Sequence, residues 1–251
     1  MTKKLSRTSR IALFLAGLVV AAASHAAGGA DNLLPANTQI GNKGMLQRGA
    51  AMYMNYCAGC HSAQYVRYSR LAEDLGLSEE QVMDNLVFQV DAKFGDTIVS
   101  GLSREDGIAF FGTAPPDLSL VARSRGPDWL FTYMRSFYRD PTAATGWNNT
   151  VFANSSMPHV LWELQGIQEP HYGEPVDGGD PPVEHLELIQ AGLVTPGQYD
   201  ASLRDLVSFL EYIGEPAALK RQALGVWVLL FLAIFTTLAW LLKREYWKDV
   251  H

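Results

Sequence analysis

Five consecutive residues carry the clearest chemistry in this sequence: Cys57-Ala58-Gly59-Cys60-His61, a C-x-x-C-H motif. Two thiols at this spacing can form thioether bonds to the two vinyl groups of one haem, and the adjacent histidine can then bind the iron as its proximal ligand. The motif occurs once, and the chain has two cysteines in all. The sequence therefore predicts one covalently attached haem c, bound through Cys57 and Cys60, with His61 on the iron.

Two closely spaced cysteines have three other interpretations: a thioredoxin-like redox pair, half of a zinc site, or a structural disulfide. A zinc site needs further Cys or His at ligand spacing, and the chain has no third cysteine. A redox pair normally follows a strand in a β-α-β segment, and no such pattern precedes the motif. Haem attachment is also expected outside the cytoplasm, and the N-terminus of the chain indicates export.

The sixth iron ligand would come from a methionine or another histidine. Met157 is the best candidate, because it lies in a polar segment without periodicity and Pro158 biases its backbone toward an extended conformation. Its side chain could therefore project from a loop. His159 is the nearest rival, and spacing alone leaves the choice open. The methionines in helical patterns are expected in the core: Met52, Met54, Met83 and Met134.

The N-terminus has the pattern of a secretory signal peptide. Its basic residues precede an apolar run, 11–23, that is too short to cross a bilayer comfortably. Ser24-His25-Ala26 then supplies small residues at the two positions that a signal peptidase recognises, so we expect residues 1–26 to be removed. An uncleaved N-terminal anchor is the alternative. The basic residues are Lys3, Lys4, Arg7 and Arg10.

A second apolar segment lies near the C-terminus. Residues 223–242 contain no charged side chain, and a helix of this length spans about 30 Å, the hydrocarbon thickness of a membrane. Export of the preceding domain would leave Lys243, Arg244 and Lys248 in the cytoplasm, in agreement with the positive-inside rule. The boundaries expected are an exported domain at 27–219, a membrane anchor at 220–243 and a short cytoplasmic tail at 244–251.

The charge pattern argues against nucleic-acid binding and suggests a basic partner. The full chain has a formal net charge of −6, and its first 26 residues contain four basic and no acidic residues, so their removal leaves −10. Residues 141–203 contain no Lys or Arg, and part of this acidic stretch is a candidate docking surface for a basic electron carrier. An ordinary solvated loop is the alternative. The acidic residues are Glu163, Glu169, Glu174, Asp177, Asp180, Glu184, Glu187 and Asp200.

Helical patterns dominate the rest of the chain, and strand patterns are sparse, so the fold class expected is mainly α with long loops. Capping boxes formed by Ser78 with Gln81 and by Thr195 with Gln198 open two of the helices. Residues 165–183 are rich in Gly and Pro and predict a loop. The helices expected are 43–56, 78–87, 127–138 and 196–213.

Several segments together resemble the cytochrome c1 family, over about residues 43–248. The resemblance is carried by Gln47-Arg48-Gly49, Tyr56 to Ser62, Val66-Arg67-Tyr68, Pro115-Pro116-Asp117-Leu118-Ser119, Arg123, Arg125, Ser156-Met157-Pro158, Glu215-Pro216 and Lys243-Arg244, in the family's order. The combination is far more specific than C-x-x-C-H alone. Residues 163–195 match least well, and no role is transferred to them.

The resemblance implies a cytochrome c-like haem domain in the ubiquinol–cytochrome c reductase (cytochrome bc1) complex of the bacterial inner membrane, on its periplasmic side. The haem would accept an electron from the Rieske iron–sulfur protein and pass it to a soluble cytochrome c, and cytochrome b would be the other partner. Met157 would be the sixth ligand and Arg125 would bind a haem propionate, with Arg123 as a competitor. Pro115 and Pro116 would shape the wall of the haem pocket.

The same resemblance predicts that the 43–56 helix packs across the 196–213 helix through their apolar faces and closes the haem crevice.

Three other functions compete with this interpretation. A haem subunit of a terminal oxidase, or another anchored monohaem cytochrome, shares the motif and the anchor but does not predict Pro-Pro-Asp-Leu before an arginine pair. A haem peroxidase needs an open iron position. A haem-based sensor needs a signalling domain, and only the short tail after the anchor is left for one.

Overall fold

Helices form most of the described structure and are joined by short strands and irregular segments. The computed structural model describes residues 33–175 and 181–249, so the expected signal peptide and the last two residues of the expected tail lie outside it. In chain order the elements are α1 (Lys43–Tyr56), β1 (Ala63–Arg67), α2 (Tyr68–Leu75), α3 (Glu79–Leu86), β2 (Thr97–Ile98), α4 (Arg104–Phe111), α5 (Val121–Arg125), α6 (Pro127–Arg135), β3 (Phe137–Arg139), β4 (Trp147–Asn149), α7 (Trp162–Gln165), β5 (Gly166–Tyr172), β6 (Val183–Ala191), α8 (Pro196–Gly214) and α9 (Ala218–Tyr246).

The helix that precedes the C-x-x-C-H motif, α1, crosses α8 at very short range. A Cβ atom on Gly49 would lie 2.1 Å from the backbone oxygen of Asp205. Beside this crossing the Arg48 guanidinium donates two hydrogen bonds to the Asp205 carboxylate, from Nε to Oδ2 at 2.5 Å and from Nη2 to Oδ1 at 3.0 Å. The rings of Tyr53 and Phe209 pack with their centroids 5.6 Å apart. The expected packing of these two helices is confirmed.

Both predicted capping boxes are present. The side chains of Ser78 and Thr195 each accept a hydrogen bond from the backbone N–H three residues on, and the Gln81 and Gln198 side chains accept one from the backbone N–H of the cap residue. Each box satisfies two backbone donors that a helix start would otherwise leave unpaired. The helices at 43–56, 78–87 and 196–213 are therefore confirmed within a residue or two of their predicted ends.

The helix predicted at 127–138 ends three residues early, at Arg135. The next segment, β3, pairs antiparallel with β4, with Phe137 opposite Asn149 and Arg139 opposite Trp147. Tertiary pairing therefore outweighs the apolar periodicity that predicted a longer helix.

The predicted loop at 165–183 is wrong for its first half, because β5 and β6 form an antiparallel hairpin. β6 is mostly exposed and β5 is mostly half-buried, so neither strand shows the regular apolar alternation that reveals a strand with one buried face. The hairpin requires glycine at position 166. The φ of Gly166 is +97°, and a Cβ there would lie 2.1 Å from the Gln190 backbone oxygen. The Gln168 side-chain amide donates to the backbone oxygens of Arg135 and Phe137, both at 2.9 Å, and so joins the hairpin to the domain.

The C-terminal apolar segment forms one helix, α9, which extends beyond the expected anchor at both ends. Its most apolar window has a mean hydropathy of 2.3 and is not buried against the described protein. Such a helix is long and apolar enough to cross a membrane. Residues 215–217 alone separate it from α8, and across this joint Arg221 donates two hydrogen bonds to the Glu215 carboxylate, at 2.7 and 3.1 Å. The expected fold class, mainly α with one C-terminal membrane helix, is confirmed.

Candidate haem site

The C-x-x-C-H motif begins where α1 ends and is held by backbone hydrogen bonds. The Cys57 N–H donates to the Tyr53 carbonyl at 2.8 Å, and the Cys60 and His61 N–H groups donate to the Cys57 carbonyl at 3.1 and 2.8 Å. The Tyr53 hydroxyl donates to the His61 carbonyl at 2.7 Å. Cys57 and Cys60 are not bonded to each other, so both sulfurs remain available for thioether bonds on a rigid turn.

The imidazole of His61 is fixed by the carbonyl of Pro116. His61 Nδ1 lies 2.7 Å from the Pro116 oxygen, and a carbonyl can only accept, so Nδ1 carries the proton and Nε2 keeps its lone pair. Burial lowers the pKa of His61, and the Pro116 carbonyl opposes this shift. A neutral imidazole with one nitrogen hydrogen-bonded to a carbonyl is the form in which histidine binds a metal. The family resemblance implied a place for Pro116 in the pocket wall but did not reveal this contact with His61.

A short loop holds Pro116 in that position. The Leu118 N–H donates to the Ser62 carbonyl at 2.8 Å, and the Gln64 N–H donates to the Asp117 carboxylate at 2.9 Å. The same carboxylate accepts from the Ser119 N–H at 2.8 Å. These bonds attach the loop directly to the residues after the motif. Asp117 thus positions the loop that holds Pro116. In the sequence it appeared only as one residue of the Pro-Pro-Asp-Leu motif, with no role of its own.

Pro115 lies against α4 and beside one of the cysteines. A Cβ on Gly107 would lie 2.7 Å from the Pro115 Cδ atom, so this glycine makes room for the proline. A cleft of about 290 Å³ next to it is lined by Cys60, Pro115 and Asp117. A larger cleft of about 940 Å³ touches Ala58 and Gly59 but none of the predicted iron ligands. Neither cleft is lined by His61 or Met157, so the place of Pro115 in the wall of a haem pocket stays a prediction.

Met157 is half-buried and packs against the same core as Cys57. Its loop contains Asn154 in a left-handed conformation, with a φ of +58°, which this residue type tolerates better than most. The Tyr133 hydroxyl lies 3.5 Å from the Met157 sulfur. Of the methionines expected in the core, Met52, Met54 and Met134 are buried and Met83 is partly exposed.

His159, the rival ligand, is 1% exposed. Its ring stacks on Phe137, with centroids 5.0 Å apart, and meets the Trp147 ring edge to face at 5.1 Å. Neither ring nitrogen has a hydrogen-bond partner among the described residues. Burial lowers its pKa to about 4, and the Gln165 side chain beside it opposes the shift. His159 is therefore a neutral imidazole packed among aromatic rings.

The two arginines that competed for the same role lie in different surroundings. The Arg125 guanidinium lies 5.1 Å from the Trp129 ring centroid and 5.8 Å from that of Phe152. Trp129 stacks in turn on Tyr133, the residue beside Met157. Arg123 instead packs its side chain near Gly214 at the end of α8. Arg125, and not Arg123, thus belongs to the cluster that contains Met157.

The alternatives for the cysteine pair fit this geometry less well. Burial raises the pKa of the Cys57 thiol to about 12, whereas a redox-active thiol needs a lowered pKa. The motif follows a helix, not a strand. Within residues 33–175 and 181–249 no three His, Cys, Asp or Glu side chains are grouped to hold a metal ion, which leaves a zinc site without its other ligands. Two free thiols and an oriented imidazole fit a covalent haem.

Comparison with known proteins gives consistent matches along nearly the whole chain. The model of the cytochrome C1 family matches residues 38–250. Cytochrome c1 of Allochromatium vinosum is 48% identical over 245 residues, covering 96% of this chain and 98% of that protein. A protein of Nitrosomonas europaea named ammonia monooxygenase gamma subunit is 40% identical over 241 residues, covering 95% and 97%. Cytochrome c1 of Rhodospirillum rubrum is 27% identical over 224 residues, covering 82% and 81%.

The family match includes the C-x-x-C-H turn, the loop that orients His61, the Met157 segment and the membrane helix. The motifs that carried the resemblance in the sequence are therefore parts of one matched domain. On the family model and on its relatives, this chain belongs to the cytochrome c1 family.

Proposed function

We propose that this chain accepts an electron from a Rieske iron–sulfur protein and passes it to a soluble cytochrome c. Family membership makes it the haem-carrying electron-transfer subunit of the cytochrome bc1 complex, anchored to a membrane by α9. The observation that carries the proposal is the His61 imidazole, held by Pro116 beside two free thiols. It supports a permanently attached redox group, which an electron relay needs.

Our proposal assigns the site residues as follows. Cys57 and Cys60 form the thioether bonds, and His61 Nε2 and the Met157 sulfur bind the iron. The haem supplies a reversible one-electron couple. With His61 and Met157 supplied by the protein as both iron ligands, the haem would exchange electrons without binding a substrate, and the methionine ligand would raise its reduction potential. Pro115 and Pro116 form part of the pocket wall, and Pro116 also orients His61.

Arg125 is proposed to bind a haem propionate, since a guanidinium pairs well with a carboxylate. We predict that Arg125→Gln lowers the haem reduction potential, because a positive charge that favours the ferrous state is removed. Arg123→Gln is the matched control, with the same loss of charge near Gly214, and should leave the potential nearly unchanged. Potentiometric titration of both variants measures the effect. Equal shifts in the two variants would contradict the assignment.

The placement of the chain in the cell is also a proposal. We place the haem domain, residues 27–219, on the periplasmic side of a bacterial inner membrane, after removal of residues 1–26. The anchor would span 220–243 and the tail, 244–251, would lie in the cytoplasm. Support comes from the exposed apolar helix and from the basic residues at and just beyond its C-terminal end, Lys243, Arg244 and Lys248.

The acidic stretch, residues 141–203, remains a candidate docking surface. Ion pairs within the protein reduce the number of its acidic side chains that could attract a basic partner. Glu169 forms an ion pair with Arg139, and Asp200 pairs with Arg135 at 3.1 Å. Glu163 and Glu184 are exposed and are better placed to attract a basic carrier. We predict that the rate of electron transfer to a basic cytochrome c falls about tenfold or more from low to high ionic strength.

Stopped-flow reduction of a basic cytochrome c over a salt series tests this surface. The double variant Glu163→Gln, Glu184→Gln should weaken the salt dependence, whereas Glu169→Gln, which removes an already paired charge, should change it less. A rate that is the same at low and high salt would rule out electrostatic steering.

Purification from mild detergent tests the function itself. Our proposal expects co-purification with a dihaem cytochrome b and a Rieske protein, and quinol-dependent reduction of the c-type haem. Isolation alone, or with an oxidase, would overturn it. The Nitrosomonas europaea relative carries the name of a monooxygenase subunit, so co-purification with a monooxygenase would overturn it as well.

A further inference from the structure

One tyrosine hydroxyl lies between the Met157 sulfur and a serine. Tyr133 Oη is 3.5 Å from Met157 Sδ, within hydrogen-bonding range of sulfur, and 2.7 Å from Ser155 Oγ. Tyr133 is 8% exposed and Ser155 is 6% exposed, so water competes little for either hydroxyl. A buried hydroxyl in this position can act on the methionine through a hydrogen bond.

Two aromatic contacts fix the direction of the Tyr133 hydroxyl. Trp129 stacks on its ring with centroids 4.9 Å apart and planes 9° apart. Phe137 packs against it at 4.9 Å and 66°. A ring held on two sides cannot turn its hydroxyl away from the sulfur without moving its neighbours.

The direction of the two hydrogen bonds follows from the number of protons available. Each hydroxyl has one proton, and a thioether sulfur can only accept. The Tyr133 oxygen is the one hydrogen-bond partner of Ser155 Oγ among the described residues. If Ser155 donates to Tyr133 and Tyr133 donates to Met157, both protons are used. The reverse order leaves the serine proton buried without an acceptor, which is unfavourable.

We propose that Tyr133 is a positioning residue that tunes the haem by donating a hydrogen bond to the sulfur of the methionine ligand. The inference rests on Met157 as the sixth ligand. A hydrogen bond to this sulfur draws electron density away from the iron, which destabilises the ferric state more than the ferrous state. It therefore raises the reduction potential and weakens the bond between sulfur and ferric iron. Hydrogen bonds to a ligand are one of the means by which a protein sets a haem potential.

The test uses the full haem-loaded chain in its detergent-purified complex. In Tyr133→Phe the ferrous-to-ferric ratio at a fixed solution potential should fall several-fold, where a tenfold change corresponds to about 59 mV for one electron. The far-red charge-transfer band of methionine-bound ferric haem should remain. Displacement of the methionine from ferric iron should require a several-fold higher concentration of imidazole, because the iron–sulfur bond is stronger.

Two further variants separate an effect on the haem reduction potential from a loss of protein stability. Tyr199→Phe is the matched control: Tyr199 is equally buried, but its hydroxyl donates to the Met134 carbonyl at 2.9 Å. The Tyr199→Phe variant should be less stable than the parent protein. Its reduction potential, and the imidazole concentration that displaces the methionine from ferric iron, should be unchanged. Ser155→Ala removes the group that donates to Tyr133 and should shift the potential in the same direction as Tyr133→Phe, by a smaller amount.

The outcomes distinguish this inference from the site on which it rests. If Tyr133→Phe keeps the charge-transfer band with an unchanged potential and unchanged imidazole displacement, the tuning role is wrong and the ligand set stands. If the band survives Met157→Ala, the ligand assignment itself is wrong. If Tyr133→Phe does not incorporate haem, the reduction potential of Ser155→Ala decides. An unchanged potential in Ser155→Ala would then overturn the inference.

Discussion

Gly49→Ala should lower the free energy of unfolding by about 3 kcal/mol or more, one of the largest effects of a single added methyl group in this domain. The added Cβ would lie 2.1 Å from the Asp205 oxygen and 2.7 Å from the Phe209 Cβ atom. Neither atom can move without displacing α8, so the two helices must separate. Because the haem motif begins at the end of α1, the yield of haem-loaded protein should fall as well. Urea denaturation of the detergent-solubilised protein, followed by haem absorption, measures the loss.

The same helix offers a matched control. A Cβ on Gly44 would meet only the Arg48 and Asn42 side chains, both at 3.5 Å, which is an ordinary contact. Gly44→Ala should therefore stabilise α1 by up to about 1 kcal/mol through its helix propensity. If Gly49→Ala and Gly44→Ala lost similar amounts of stability, the close approach of α1 and α8 would not be the cause of the loss.

Met157→Ala should convert the iron from a six-coordinate electron carrier into an open site. We expect loss of the charge-transfer band, partly high-spin ferric iron and binding of imidazole without displacement of a protein ligand. The reduction potential should fall by more than about 59 mV, a tenfold change in the ferrous-to-ferric ratio, because a ligand that favours ferrous iron is lost. Absorption spectra and potentiometric titration check these results.

Two variants control for the loss of a side chain near the site. Met134→Ala removes a core methionine that is 7% exposed and should cost about 2–5 kcal/mol of stability while keeping the band and the potential. His159→Leu should also keep the band, because in our assignment this imidazole is a packing residue. If the band is lost in His159→Leu and kept in Met157→Ala, the rival ligand is the correct one.

The parts of the fold that could be predicted depend on local chemistry. A serine or threonine followed three residues later by glutamine marks a helix start wherever it lies in the fold, so α3 and α8 were predicted almost to the residue. The Cys-Cys-His spacing and the length of the apolar segment are also informative, because they depend on bond geometry and membrane thickness, although α9 extends beyond the expected anchor at both ends.

The parts that could not be predicted depend on contacts between distant segments. Glycine lowers helix propensity, and only the approach of α8 shows why Gly49 is needed within α1. Pro116 acts through its carbonyl, which every residue type has, so no sequence pattern reveals its contact with His61. The hairpin of β5 and β6 packs little apolar surface, and its glycines and prolines resembled a loop.

The three-residue joint between α8 and α9 sets how freely the haem domain can move relative to the membrane. Three residues span at most about 10 Å when fully extended, and the Arg221–Glu215 ion pair bridges the joint. The helix at this joint, α8, is the one that locks onto α1 at Gly49, and α1 ends in the haem motif. The proposed haem site is therefore joined to the membrane helix by a short connection and not by a long linker. We infer that its distance from the bilayer varies little, so that the proposed partners would do the moving that electron transfer requires.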